Sequence, residues 1–101
     1  MIDRPYVEEK LRAAVGALGS DRPIRERLRL AYIYGLELLE PYAFESEDRA
    51  EFEAICAGLN ATGEPIVGGG SLQTSLYLMS DEEAEGFADR IIALAARYGQ
   101  A

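Results

Sequence analysis

Residues 80–99, SDEEAEGFADRIIALAARYG, carry the clearest helix signal in this chain. Ser80 and Glu83 have the spacing of a capping box, in which each side chain accepts a hydrogen bond from the backbone amide of the other residue. Apolar residues then recur with the period of an α-helix, and Gly99 is a typical helix end. The apolar positions are Ala84, Phe87, Ala88, Ile91, Ile92, Ala95 and Tyr98. These features predict a helix that begins after Ser80 and buries one face.

Two other segments show the same period, one near the start of the chain and one in its middle. The first has Pro5 in its opening turn and should end at Gly19, because proline suits the first helical turn and glycine the residue after the last. The second begins at Ser46, which can cap it, and should end within residues 60–63. Beyond the loop at 64–70, we expect a short helix that holds Leu72, Leu76 and Met79.

The segment that starts at Pro23 and must end before Pro41 is predicted to be the central helix, with two apolar faces. One face consists of Ile24, Leu28, Ala31, Tyr32, Gly35 and Leu39, and the other of Leu30, Ile33 and Tyr34. A helix that is apolar on two sides is buried between neighbours or lies at an interface. We therefore predict an all-α, single-domain bundle over residues 1–101, with four main helices and one short helix arranged around the second.

The composition excludes several classes of function. The 101 residues suit one domain with a radius of gyration of roughly 13 Å. Because the chain has no histidine, it lacks the base of Ser-His-Asp and Cys-His catalysis and cannot form an imidazole zinc site. A net charge of −8 disfavours binding to nucleic acid and to anionic membranes. The single cysteine, Cys56, and the lack of an apolar leader in residues 1–5 predict a cytoplasmic location.

Arginines crowd the first two turns of the second predicted helix, where the helix dipole is unfavourable to cations. They are Arg22, Arg25, Arg27 and Arg29. The preferred interpretation is that Asp21, Glu26 and acidic residues of the third or last helix neutralise them. The alternatives are an acidic partner or an anionic ligand. Nucleic acid is disfavoured, because this helix is too apolar to read a DNA groove along its length.

Carboxylates on one face of the last predicted helix raise the possibility of a divalent metal site. They are Glu82, Glu85 and Asp89. Like charges at this spacing repel, so the face should be solvated, neutralised by a cation such as Arg90, or bound to a metal ion. The third helix would have to supply further ligands, from Glu47, Asp48 and Glu51. A solvated face is the preferred interpretation, and we assign no metal ligand and no cofactor.

Two small motifs have simple structural explanations. Gly68, Gly69, Gly70 and Ser71 could present backbone amides to a phosphate, but no P-loop lysine follows, and a plain connector is favoured. Cys56 falls on the apolar stripe of the third helix, which indicates a small buried side chain rather than a reactive thiolate.

An apolar and aromatic surface with arginines nearby is typical of protein-binding sites. The residues assigned to it are Leu30, Ile33, Tyr34, Tyr42 and Phe44, with Arg25 and Arg29 beside them. The competing interpretation is that neighbouring helices cover this face. We expect a small acidic regulatory or accessory protein, without catalytic residues, that binds itself as a homodimer or another protein. The alternative is a divalent-metal-dependent enzyme or small-ligand binder that uses carboxylates of the third and last helices.

Overall fold

The computed structural model describes residues 4–59, 76 and 78–98, which contain four long α-helices and no β-strand. The helices are α1 (Arg4–Leu18), α2 (Ile24–Tyr34), α3 (Ser46–Leu59) and α4 (Asp81–Ala96), and two 3-10 turns, Leu36–Leu38 and Pro41–Ala43, connect α2 to α3. The all-α prediction is therefore confirmed. The Cα radius of gyration, 13.0 Å, agrees with the value expected from the length.

Local sequence signals place most helix ends correctly. The Ser80 hydroxyl accepts a hydrogen bond from the Glu83 amide at 3.1 Å, and the Glu83 carboxylate accepts one from the Ser80 amide at 2.8 Å. Helix α1 stops immediately before Gly19, and α3 begins at Ser46. Leu76 is helical, as predicted for the short helix before Ser80, whereas Met79 is not; Leu72, the third residue of that prediction, lies outside the described residues.

Helix α2 is shorter than the predicted stripe, which extended to Leu39. It ends at Tyr34, and Gly35 follows with φ −133° and ψ −76° before the chain turns into the first 3-10 segment. Gly35 lies so close to α1 that a Cβ atom there would be 2.6 Å from the carbonyl oxygen of Lys10. The missing side chain lets α1 and α2 approach, and Leu39 reaches the core from an extended residue rather than from the helix.

The core forms where the helices converge. Helix α2 packs against α1 and α4, and α4 contacts each of the other three helices. The largest fully buried side chains are Val7, Leu11, Leu28, Leu36, Phe44, Ile55, Leu59, Ile91 and Leu94. On α4 the expected stripe is buried except at Ile92, which is 45% exposed, and Phe87, which is half-buried.

The aromatic turn between α2 and α3 places Phe44 in this core. Its ring stacks on Phe52 with a centroid distance of 4.6 Å and meets the edge of Tyr98 at 5.5 Å. The prediction that Phe44 belongs to an accessible partner surface is wrong, because the side chain is 0% exposed. Phe44 instead connects the turn to α3 and to the end of α4.

Within the described part of the chain, no helix combines the length and the apolar character that crossing a lipid bilayer requires.

Candidate functional site

Arg25 connects α2 to the segment that precedes α4 and to the first residue of α4. Its Nε donates to the carbonyl oxygen of Leu76 at 2.9 Å and its Nη2 to that of Met79 at 2.6 Å. The remaining Nη1 forms an ion pair with Asp81 at the start of α4. Since its nitrogens already have partners within the chain, Arg25 is not available as the predicted partner-binding cation.

Arg22, just before α2, and the other arginines of α2 also have carboxylate partners inside the molecule. Arg29 donates to both carboxylate oxygens of Glu26, at 3.1 and 2.8 Å, and this hydrogen bonding lowers the pKa of Glu26. Arg22 lies 3.6 Å from the same carboxylate, and Arg27 lies 3.9 Å from that of Glu85 on α4. The preferred interpretation is confirmed for Glu26 and for acidic residues of the last helix, whereas Asp21 forms no ion pair within the described part of the chain.

The acidic faces of α3 and α4 do not meet. On α3, Glu51 accepts two hydrogen bonds from Arg90 of α4, at 3.0 and 2.8 Å, and Asp48 forms an ion pair with Arg97. Hydrogen bonding by Arg90 lowers the pKa of Glu51. The described residues bring together no group of three or more side chains that could hold a metal ion. The candidate ligands Glu82, Glu85 and Asp89 are all exposed.

Of the two small motifs, Cys56 lies in the described part of the chain. Cys56 is half-buried in α3, and burial raises the pKa of its thiol to about 11, so it stays protonated at neutral pH. This agrees with a packing role for the side chain. The glycine run at 68–70 lies outside the described residues.

The residues of the predicted partner-binding surface differ in their exposure and do not form one continuous surface group. On α2, Leu30 and Ile33 are half-buried and Tyr34 is 60% exposed. Tyr42 lies in the second 3-10 turn and is 69% exposed, whereas Phe44 is in the core. Of these residues, Tyr42 also lines an apolar groove on the surface of the molecule.

The apolar groove lies between the first turn of α1 and the two 3-10 turns. Its volume is about 170 Å³, and the described residues that line it are Tyr6, Val7, Leu38, Leu39, Glu40, Tyr42 and Ala43. Tyr6, Leu38 and Tyr42 are among the exposed large apolar residues of the molecule, at 42%, 47% and 69%. The Tyr6 hydroxyl donates to the carbonyl oxygen of Leu38 at 3.1 Å, so the two walls of the groove are joined directly.

Of the residues that line the groove, sequence reasoning assigned only Tyr42 to a binding surface, and it missed the exposed Tyr6 and Leu38. Tyr6 lies beside Val7, outside the buried stripe of α1, and Leu38 was assigned to a continuous helix that the structure replaces with a turn. The sequence did contain one signal for Tyr6, because an aromatic residue that lies just outside the buried stripe of a helix can contribute to an exposed binding surface. No local pattern places it next to Leu38, because the two residues are 32 positions apart.

The size of the groove decides what it can hold. Sites for small molecules and cofactors usually have volumes of about 300–1,000 Å³, whereas an apolar cavity of about 150 Å³ holds one benzene-sized group. At about 170 Å³, the groove fits a single large apolar side chain. Apart from the phenols of Tyr6 and Tyr42, its one ionisable described lining residue is Glu40, which provides no nucleophile and base pair.

A comparison of the chain with protein-family models, with curated proteins and with solved structures finds no match.

Proposed function

We propose that this chain is a small acidic cytoplasmic protein that binds other proteins, and that its groove holds one large apolar side chain of the partner. The observation that carries this proposal is the convergence of Tyr6, Leu38 and Tyr42 on an apolar groove of about 170 Å³. Buried anchors of this kind supply most of the affinity in many protein complexes, while the surrounding contacts exclude water.

The groove has the structural support that a binding site needs. Val7 and Leu39 form part of its lining and are almost completely buried, so they belong to the core as well as to the groove. The hydrogen bond between Tyr6 and the Leu38 carbonyl holds the two walls together across the gap. A groove that is formed before binding requires little ordering when a partner arrives, which favours affinity.

The size of the groove favours protein binding over the alternative class of function, a small-ligand binder or metal enzyme. A site of this size buries one side chain but too little of a typical cofactor. Two of the carboxylates that would hold a divalent ion, Asp48 and Glu51 on α3, are paired with arginines instead, and the described residues bring together no group of three possible ligands. The protein-binding proposal therefore uses a surface that exists in the structure, whereas the metal proposal requires two acidic faces to be rearranged.

Peptide selection tests this proposal whatever the identity of the natural partner. Random peptides of about twelve residues are displayed, selected on the wild-type protein and measured against purified variants by fluorescence anisotropy. We expect Tyr42→Ala to weaken the selected peptides at least about tenfold, because it removes an exposed wall of the groove. Ile92→Ala is the matched control, since Ile92 is an exposed apolar residue on α4 that does not line the groove.

Circular dichroism of both variants checks that the helices persist, and light scattering reports whether the wild type is a monomer or the predicted homodimer. If the selected peptides bind Tyr42→Ala and wild type equally, the groove is not the binding site and the proposal fails. If the wild type is a dimer that Tyr42→Ala dissociates, the groove does bind a protein, and that protein is a second copy.

A further inference from the structure

We infer that the groove recognises a positively charged segment of another protein, in which basic residues flank the apolar side chain that enters the groove. This inference rests on the proposed protein-binding function and adds the chemistry of the partner. It depends on the charged groups beside the groove and on the open face of Tyr42.

The connection from α2 to α3, which forms part of the groove, carries three carboxylates. Glu40 lines the groove, Glu37 lies in the first 3-10 turn and Glu45 follows the second. All three are exposed, and within the described part of the chain none of them forms an ion pair. Residues 31–48 contain no basic residue at all. Glu37, Glu40 and Glu45 therefore differ from Asp48 and Glu51, each of which is paired with an arginine in the described structure.

Two cations lie near the groove: Lys10 contacts the lining residue Tyr6, and Arg49 contacts two residues that are next to lining residues in the chain. Lys10 has its ammonium 5.2 Å from the centre of the Tyr6 ring and 3.4 Å from the Glu9 carboxylate, so Glu9 balances its charge. Arg49 donates through Nε to the carbonyl oxygens of Pro41 and Phe44. With Lys10 balanced by Glu9, one positive charge, Arg49, remains against three carboxylates that form no ion pair among the described residues, so the net charge beside the groove is negative.

Tyr42 adds a second reason to expect a basic partner. An aromatic face attracts a cation placed within about 6 Å of the ring centre, and Lys10 already lies over Tyr6 in this way. Tyr42 is 69% exposed, and among the described residues no cation lies over its ring. A lysine or arginine next to the partner's apolar anchor can stack on this ring while remaining close to Glu40.

The same charges disfavour a second copy of this chain as the occupant. Each copy has a net charge of −8, so two copies that approach through their grooves bring like charges together. A basic segment is attracted by the same field, which accelerates association and makes binding sensitive to salt. Among the protein occupants considered, charge complementarity therefore selects a basic partner over self-association.

The charge of the selected peptides is the first test. We expect peptides enriched on the wild type, and depleted by counter-selection on Tyr42→Ala, to combine net positive charge with at least one large apolar residue. Their dissociation constants should rise several-fold between about 50 and about 300 mM salt, because screening weakens the attraction. Replacing the basic residues of the tightest peptide with glutamine should weaken its binding to a similar degree.

Charge variants of the protein give the matched test. The double variant E37Q/E40Q should weaken the same peptide about five- to tenfold, mainly through slower association. The control E53Q/E82Q removes the same number of charges, from one exposed carboxylate on α3 and one on α4 that do not line the groove, and should change the affinity less than about twofold.

The outcomes separate the two claims. Neutral or acidic peptides that bind wild type and fail on Tyr42→Ala would overturn the basic-partner inference and leave the proposed function standing. A groove-dependent homodimer would have the same consequence. Peptides that are insensitive to Tyr42→Ala, or a selection that enriches no binder, would overturn both.

Discussion

Replacing Gly35 with alanine should lower the free energy of unfolding by about 2 kcal/mol, within the range of roughly 1–3 kcal/mol typical of overpacked sites. The new Cβ would lie 2.6 Å from the Lys10 carbonyl oxygen and 2.8 Å from the Ala14 Cβ. Neither atom belongs to a flexible side chain that could move aside, so α1 and α2 would have to separate. For a chain of this length, a loss of this size lowers the melting temperature by roughly 10 °C.

The matched control is Gly86→Ala. Gly86 is exposed within α4, and a Cβ there would meet nothing within 4 Å. Because alanine favours a helix interior over glycine by roughly 0.5–1 kcal/mol, we expect this variant to be more stable than the wild type. Urea unfolding followed by circular dichroism measures both effects. If Gly35→Ala were as stable as Gly86→Ala, the close approach of α1 and α2 at Gly35 would be incorrect.

Three other perturbations test separate parts of the fold. Ser80→Ala should lower stability by about 1 kcal/mol in urea unfolding, because it removes half of the capping box; an unchanged midpoint would mean that the cap contributes nothing. Phe44→Ala should lower it by about 3–5 kcal/mol, whereas Tyr42→Ala should change it by less than about 0.5 kcal/mol, and similar effects of the two would contradict their different burial. The pKa of Glu51 is lowered in the folded chain, so its ion pair stabilises the protein above the unfolded pKa of about 4.3 and this contribution is lost as pH falls through the folded value. Wild type should therefore be more stable than Glu51→Gln at neutral pH and lose that advantage in acid; a difference independent of pH would contradict the assignment.

Local signals in the sequence were sufficient for most of the helices. The Ser80 capping box and the stop at Gly19 depend on residues within one turn of the helix end, and both were predicted correctly. The early end of α2 was not predicted, because it depends on the approach of Gly35 to Lys10, which is 25 positions away. The apolar stripe of a helix does not reveal where a neighbouring helix requires a glycine.

The candidate site was less accessible to sequence reasoning than the fold. Phe44 and Tyr42 are both aromatic residues of one short turn, yet one is in the core and the other is exposed. Which of them is buried depends on contacts of Phe44 with Phe52 and Tyr98, and the latter comes from the opposite end of the chain. Arg25 illustrates the same limit, since its partners lie more than 50 residues away.

The most direct test of the central claim is the position of a bound peptide on the protein. Two-dimensional NMR of isotopically labelled protein, titrated with the tightest selected peptide, locates it residue by residue. We expect the perturbed signals and the intermolecular contacts to centre on Tyr6, Leu38 and Tyr42, with an apolar peptide side chain between them. Contacts centred instead on the exposed Tyr34 or on Ile92, with the groove unchanged, would contradict the account.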